Sequence, residues 1–202
     1  MEENLQVHEQ ENKFDGAVKR NVLPYLMDLA IVLCLILIVF LFCFRIAVVD
    51  GSSMYDTLIH NDYVLLLNHV LAGEPKHGDI VVISKDSYED GTPIIKRVIA
   101  TEGQKVDINF DTGEVSVDGR VLDEPYIYTP TKTFEGTYFP LTVDEGCVFV
   151  LGDNRKVSKD SRDPEIGLVD CREIVGKAIF LFFPGEDPVT RQRQFDRIGA
   201  IG

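Results

Sequence analysis

The chain is predicted to be mainly β: an antiparallel β domain with a smaller β excursion, tethered by one N-terminal transmembrane helix. Three features lead there. A single uncharged apolar run near the N-terminus has about the length of a membrane span. Past residue 51, short β-branched and aromatic segments alternate with turn residues, and no long helical period or internal repeat follows. The 202 residues hold one domain of ordinary size plus an appendage, and a hydrophobic content of 45% fits a folded chain.

The apolar run is "LAIVLCLILIVFLFCF", residues 29–44, without a charge. Extended from Pro24 to Val49, with Asp28 near one end and Arg45 snorkelling at the other, it is long enough to cross a bilayer. A buried core helix would carry a polar stripe, which is missing here. A cleaved signal peptide has a shorter apolar core and an A-x-A pattern after it, also missing. A retained signal-anchor over 24–49 is therefore expected. Lys13, Lys19 and Arg20 precede it, which places residues 1–23 in the cytoplasm and residues 50–202 outside a single-pass cell-membrane anchor.

The strands follow in order as "DYVLLLN" (62–68), "DIVVIS" (79–84), "IIKRVIAT" (94–101), "KVDINF" (105–110), "CVFVLG" (147–152) and "EIVGKAIFLFF" (173–183). In "EVSVDGRVL", Asp118-Gly119 between alternating residues signals a tight hairpin. The turn-rich stretch from about 105 to 145 forms the subsidiary β excursion. Apolar clusters at 137–143 and 179–185 are core strands or contacts to the membrane interface.

A net charge of -13 argues against nucleic acid, which requires a basic face. No C-x-x-C and no His/Cys cluster is present, so neither a metal nor a cofactor is expected. Cys34 and Cys43 lie in the apolar run, and Cys147 and Cys171 leave a disulfide open.

Three segments could carry chemistry. "GSSMYDTL" (51–58) places two serines just after the apolar run, either as an ordinary turn or as a nucleophile. On its strand, Lys96 shares a face with Ile94, Val98 and Ala100. Such surroundings lower an ammonium's pKa, unless the stem packs there and the head reaches water. "LGDNRKVSKDSR" (151–162) is either a solvated polar loop or a rigid support for a site.

Together these segments resemble the bacterial type I signal peptidases, membrane-bound serine proteases that remove signal peptides from exported proteins. "GSSMYDTL" is similar to the family's S-M-x-P-T-L box and "HGDIVV" (77–82) to its G-D-I-V strand. "IKRVIATEG" (95–103) resembles the lysine box, and "GDNRKVSKDSR" (152–162) matches G-D-N-R-x-x-S-x-D-S-R throughout. The resemblance makes Ser53 the nucleophile and Lys96 its general base, with Ser158 orienting the lysine. It pairs Asp153 with Arg97 and Asp160 with Arg162 as braces. It implies an extended substrate bound beside a strand edge, with Met54, Ile80, Val81 and Val82 along the groove. The implied partners are the signal peptides of exported preproteins, the lipid bilayer and the secretion machinery. Ser53 lies four residues beyond Val49, close to the expected membrane surface.

Asp56 stands where the family has proline, Gln104 replaces a frequent aspartate, and Gly51 leaves the second oxyanion donor open. Two other readings exist. Self-cleaving repressors also use Ser-Lys but carry a DNA-binding helical domain rather than an anchor. A catalytically silent homologue acting in assembly would be expected to lose the serine or the lysine, and both are present.

Overall fold

In the computed structural model the backbone is described for residues 2–201, with side chains from residue 22 onward except Glu89. The chain divides into two compact units, Met1–Cys43 and Phe44–Gly202.

The first unit is one helix, α1 (Glu2–Cys43). Its stretch Val22–Cys43, 22 residues, is long and apolar enough to cross a bilayer. The side chains of Lys13, Lys19 and Arg20, on which the expected orientation rests, lie outside those described. The helix stops before the expected end at Val49. Phe44–Val48 instead forms strand β1, which pairs antiparallel with β2 (Tyr63–Asn68) from Phe44↔Leu67 to Val48↔Tyr63. The physical reason is a neighbouring strand: "FRIAV" alternates as a strand should, and its backbone groups find partners on β2 that a helix end would lack.

The second unit continues with a short helix α2 (His69–Ala72), β3 (Ile80–Ile83), β4 (Ile94–Thr101), β5 (Lys105–Asn109), β6 (Glu114–Val117) and β7 (Arg120–Val121). Then come β8 (Leu141–Thr142), β9 (Cys147–Leu151), β10 (Val169–Asp170), β11 (Ile174–Phe183) and β12 (Gly199–Ala200). One sheet runs β1-β2-β11-β3-β4-β9-β10, with β12 added to β11. A four-stranded sheet, β7-β6-β5-β8, is built from the excursion. The pairings between these strands are antiparallel, so the fold is mainly antiparallel β with one N-terminal apolar helix.

The hairpin turn Asp118-Gly119 takes φ +51° and +77°, the pair of positive values a two-residue turn between twisted strands requires. Alternation along β3 sorts the core. Ile80 and Val82 join Met54, Leu58, Val64 and Ile95 on one face. Val81 and Ile83 join Val98, Val148, Val150 and Ile174 on the other. Ile99, Val106, Val115 and Phe149 close a third cluster that seats the excursion against β4 and β9.

Candidate active site

β4 is paired along its length with β3 only over Ile94–Arg97, and with β9 only from Arg97 onward. On the β9 side, residues 94–96 are therefore a free strand edge. β1 is a second free edge, since it closes its sheet. Between them lies a cleft of about 410 Å³, whose lining includes Ala47, Val49, Val82, Tyr88, Ile95 and Val157. Ser53 and Lys96 both open into it.

Lys96 Nζ lies 2.9 Å from Ser53 Oγ and donates at 3.0 Å to the Ile95 carbonyl. The lysine is only 4% exposed, between Ile94 and Val98. Burial lowers its pKa to about 8, against the opposing pull of Asp160 and Asp153. A substantial share of amine is then neutral near physiological pH, and a neutral amine at this distance can accept the hydroxyl proton. Chemically, the pair can act as a nucleophile with its own base and needs no carboxylate to orient an imidazole.

The turn that carries Ser53 is fixed from two sides. Met54, the next residue, is 1% exposed and plugs the core beside Leu58, Ile80 and Ile95. From the other side, the Asn154 N–H donates to the Ser53 carbonyl at 2.9 Å, and Asn154 Nδ2 to the Ser52 carbonyl at 3.2 Å. Among the described residues the Ser53 N–H has no hydrogen-bond acceptor, so it is available to an oxyanion. Gly51 brings no hydroxyl, and its N–H donates to His60 Nδ1 at 3.3 Å.

The loop after β9 is a rigid support, not a solvated turn. Arg97 grips Asp153 with two bonds of 2.9 and 2.8 Å, and Thr57 Oγ1 donates to the same carboxylate at 2.6 Å. Arg162 grips Asp160 likewise at 2.8 and 2.9 Å, while Asp160 accepts the Gly152 N–H at 3.0 Å. Both pairs are almost wholly enclosed. Ser158 is buried behind the turn, but its hydroxyl donates to the Lys159 carbonyl at 3.4 Å rather than to Lys96. Of the four residues expected along the groove, Val82 lines the cleft and the other three do not. Met54 and Ile80 are sealed in the core, and alternation turns Val81 to the opposite face.

Several functional neighbours carry little sequence signal. Tyr126, from the excursion, stacks under the Arg97 guanidinium at 4.0 Å. Arg155, part of the loop motif but without an assigned role, is fully buried and held by Glu124, Thr131 and the Gly152 carbonyl. The Tyr128 N–H donates to the Asp153 carbonyl at 3.0 Å. Thr57 and Arg155 lie inside recognisable boxes, and Tyr126 and Tyr128 do not. A larger cavity of about 810 Å³, reached by Val81, Cys147 and Cys171, contains neither Ser53 nor Lys96. Both cysteines there are free thiols.

A hydroxyl held against a buried amine, at the free edges of an antiparallel β domain, is an arrangement suited to hydrolysis of an extended chain. The chain belongs to the signal peptidase family, peptidase S26, whose model matches residues 22–183, and it is a hydrolase of the type I signal peptidase kind. It is 34% identical over 174 residues to a signal peptidase I of Bacillus licheniformis, covering 82% of this chain and 91% of that one. Signal peptidase I T of Bacillus subtilis (strain 168) is 36% identical over 165 residues, covering 77% and 82% respectively. Signal peptidase IB of Staphylococcus aureus (strain COL) is 33% identical over 184 residues, covering 83% and 92%. Among solved structures, a signal peptidase I from Enterococcus faecalis V583 is 29% identical, covering 52% of this chain and 97% of that one at a TM-score of 0.43.

Proposed function

We propose that this chain is a membrane-anchored endopeptidase that cuts signal peptides from exported preproteins with a Ser53–Lys96 dyad. The observation carrying the reading is the 2.9 Å approach of Ser53 Oγ to a buried amine whose pKa is lowered to about 8. Ser53 Oγ attacks the scissile carbonyl as neutral Lys96 takes its proton. The resulting oxyanion meets the Ser53 N–H. Lys96 then returns the proton to the leaving amine, and water resolves the acyl-enzyme by the same route in reverse roles.

The free edges at residues 94–96 and on β1 suit an extended peptide that adds as a strand. Cleft walls of Ala47, Val49, Val82 and Ile95 suit small apolar side chains on the acyl side. Ser158, buried beside the turn, supports the dyad's geometry, and the two ion pairs brace the loop on which that geometry depends.

Val22–Cys43 serves as the membrane anchor, with the N-terminus cytoplasmic and the β domain outside. Nine residues separate Cys43 from Ser53, so chain connectivity alone keeps the nucleophile within about 35 Å of the span's end. A signal peptide's cleavage site emerges just past its own apolar run, at comparable depth. The secretion machinery that delivers the preprotein is the natural neighbour of such an enzyme.

The test is incubation of the full chain, in detergent or vesicles, with a preprotein and with the same protein lacking its signal segment. Cleavage at one bond after the signal segment, found by sequencing the new N-terminus, is expected for the first substrate only. A preprotein left intact would point to the silent assembly-factor alternative.

A further inference from the structure

Residues 184–201 lie past the last residue that the family model matches, yet they are fastened to the turn that carries the nucleophile. Arg197 donates to the buried Asp62 carboxylate at 3.1 and 2.7 Å and to the Thr57 carbonyl at 3.0 Å. The Gly185 N–H donates to Asp62 at 2.7 Å, and β12 pairs with Phe180 and Leu181. Within the segment, Asp187 accepts the Val189 and Thr190 N–H groups at 2.8 and 2.7 Å. The segment is thus a fixed wall.

Between this wall and the turn opens a pocket of about 320 Å³. Gly51, Ser52 and His60 line one side, and Glu186, Arg191 and Arg193 the other. Gly51 and Ser52 also line the catalytic cleft, so the two concavities share the turn that carries Ser53. The pocket's charges do not cancel. Arg193 donates to the Pro184 carbonyl at 3.0 Å, lies 3.5 Å from Glu186 and stacks on Phe183 at 4.8 Å. His60 faces Asp50 at 3.2 Å. The Arg191 side chain is exposed and has no partner among the described residues, which leaves the pocket with an uncompensated cation.

We propose that this pocket receives the substrate residues that follow the scissile bond and selects acidic side chains there. The inference rests on the peptidase reading above: with the apolar cleft taking the acyl side, the leaving side of the peptide passes over the turn toward Arg191. An aspartate or glutamate would pair with its guanidinium, and a lysine would meet like charge.

The experiment compares kcat/KM for three signal-bearing substrates that differ only at the second and third positions after the scissile bond, carrying Asp-Asp, Ala-Ala or Lys-Lys. The full chain and its Arg191→Glu variant are each assayed at low and high salt. The wild type favours Asp-Asp over Lys-Lys by about threefold to fivefold at low salt, as befits a partly exposed ion pair. Arg191→Glu reverses the order, and high salt erases it. Equal rates in the wild type, or an acidic preference that survives Arg191→Glu, overturns the inference while Ala-Ala cleavage keeps the peptidase reading. Failure of the wild type to cut all three overturns both.

Discussion

Replacing Ser53 by alanine or Lys96 by methionine lowers preprotein cleavage roughly ten-thousand-fold or more, while the folded chain survives both changes. Among the described residues Ser53 Oγ makes one side-chain hydrogen bond, to Lys96, and its loss leaves the amine bonded to the Ile95 carbonyl. Methionine keeps the volume of the lysine stem between Ile94 and Val98 and removes only the basic nitrogen. The stability outcome has a definite sign. An ammonium whose pKa falls from 10.5 to about 8 on folding is penalised in the folded state by roughly 3 kcal/mol. That penalty is fully present below about pH 8 and fades as pH rises toward 10.5. Lys96→Met therefore melts at or above the wild-type temperature at neutral pH, by thermal denaturation, while the cleavage assay reads no product. A variant that is inactive because it is unfolded would fail the melting test.

Gly152→Ala disables the site by another route. A Cβ at this position would sit 2.5 Å from the Ser53 carbonyl oxygen and 2.5 Å from the Ser158 Cβ, and closer still to the Ser158 hydroxyl. None of these neighbours can yield cheaply. The Ser53 carbonyl is tied to the Asn154 N–H, Ser158 is 1% exposed, and Gly152 itself is held through its N–H by Asp160 and through its carbonyl by Arg155. Overpacking of this kind costs about 1–3 kcal/mol or more of stability. Part of the strain falls on the Ser53 carbonyl, which the new Cβ meets directly, and so displaces Ser53 against Lys96. A displacement of about 1 Å is enough to lower kcat by roughly a hundredfold. The expected signature is a large fall in kcat with a smaller change in KM, alongside a lowered melting temperature. Wild-type kcat in this variant would mean that the loop and the nucleophile's turn are not packed as described.

Strand content was readable because it depended on local alternation: "IIKRVIAT" is β4 residue for residue, and Asp118-Gly119 closes its hairpin with the two positive φ values that the dipeptide suggested. The helix end was not readable, because an apolar helix and an apolar strand share composition across Phe44–Val48. Only the pairing with β2 decides between them. Of the four two-residue strands, β7 is announced by the Asp118-Gly119 turn before it, whereas β8, β10 and β12 have no pattern to find. At the site, residues inside ordered motifs stood out: Ser53, Lys96, Arg97, Asp153, Asp160 and Arg162 fall into one contiguous network. Tyr126, Glu124 and Thr131 did not, since they come from a turn-rich excursion whose return path to the loop after β9 is a matter of tertiary packing. Tertiary packing also decides which groove residues reach the cleft: Val82 does, and Met54, Ile80 and Val81 do not. Alternation says which face a residue takes, but not whether a neighbour such as Met54 already fills it.

The pH dependence of kcat/KM on a signal-bearing substrate tests most directly whether an uncharged Lys96 drives the reaction, because this quantity reports the ionisation of the free enzyme. A single rising limb is predicted, gaining about tenfold per pH unit at the acid end and breaking to a plateau near the Lys96 value of about 8. A profile that stays level through that region, or breaks only in the ordinary carboxylate range, would contradict a lysine base at this site.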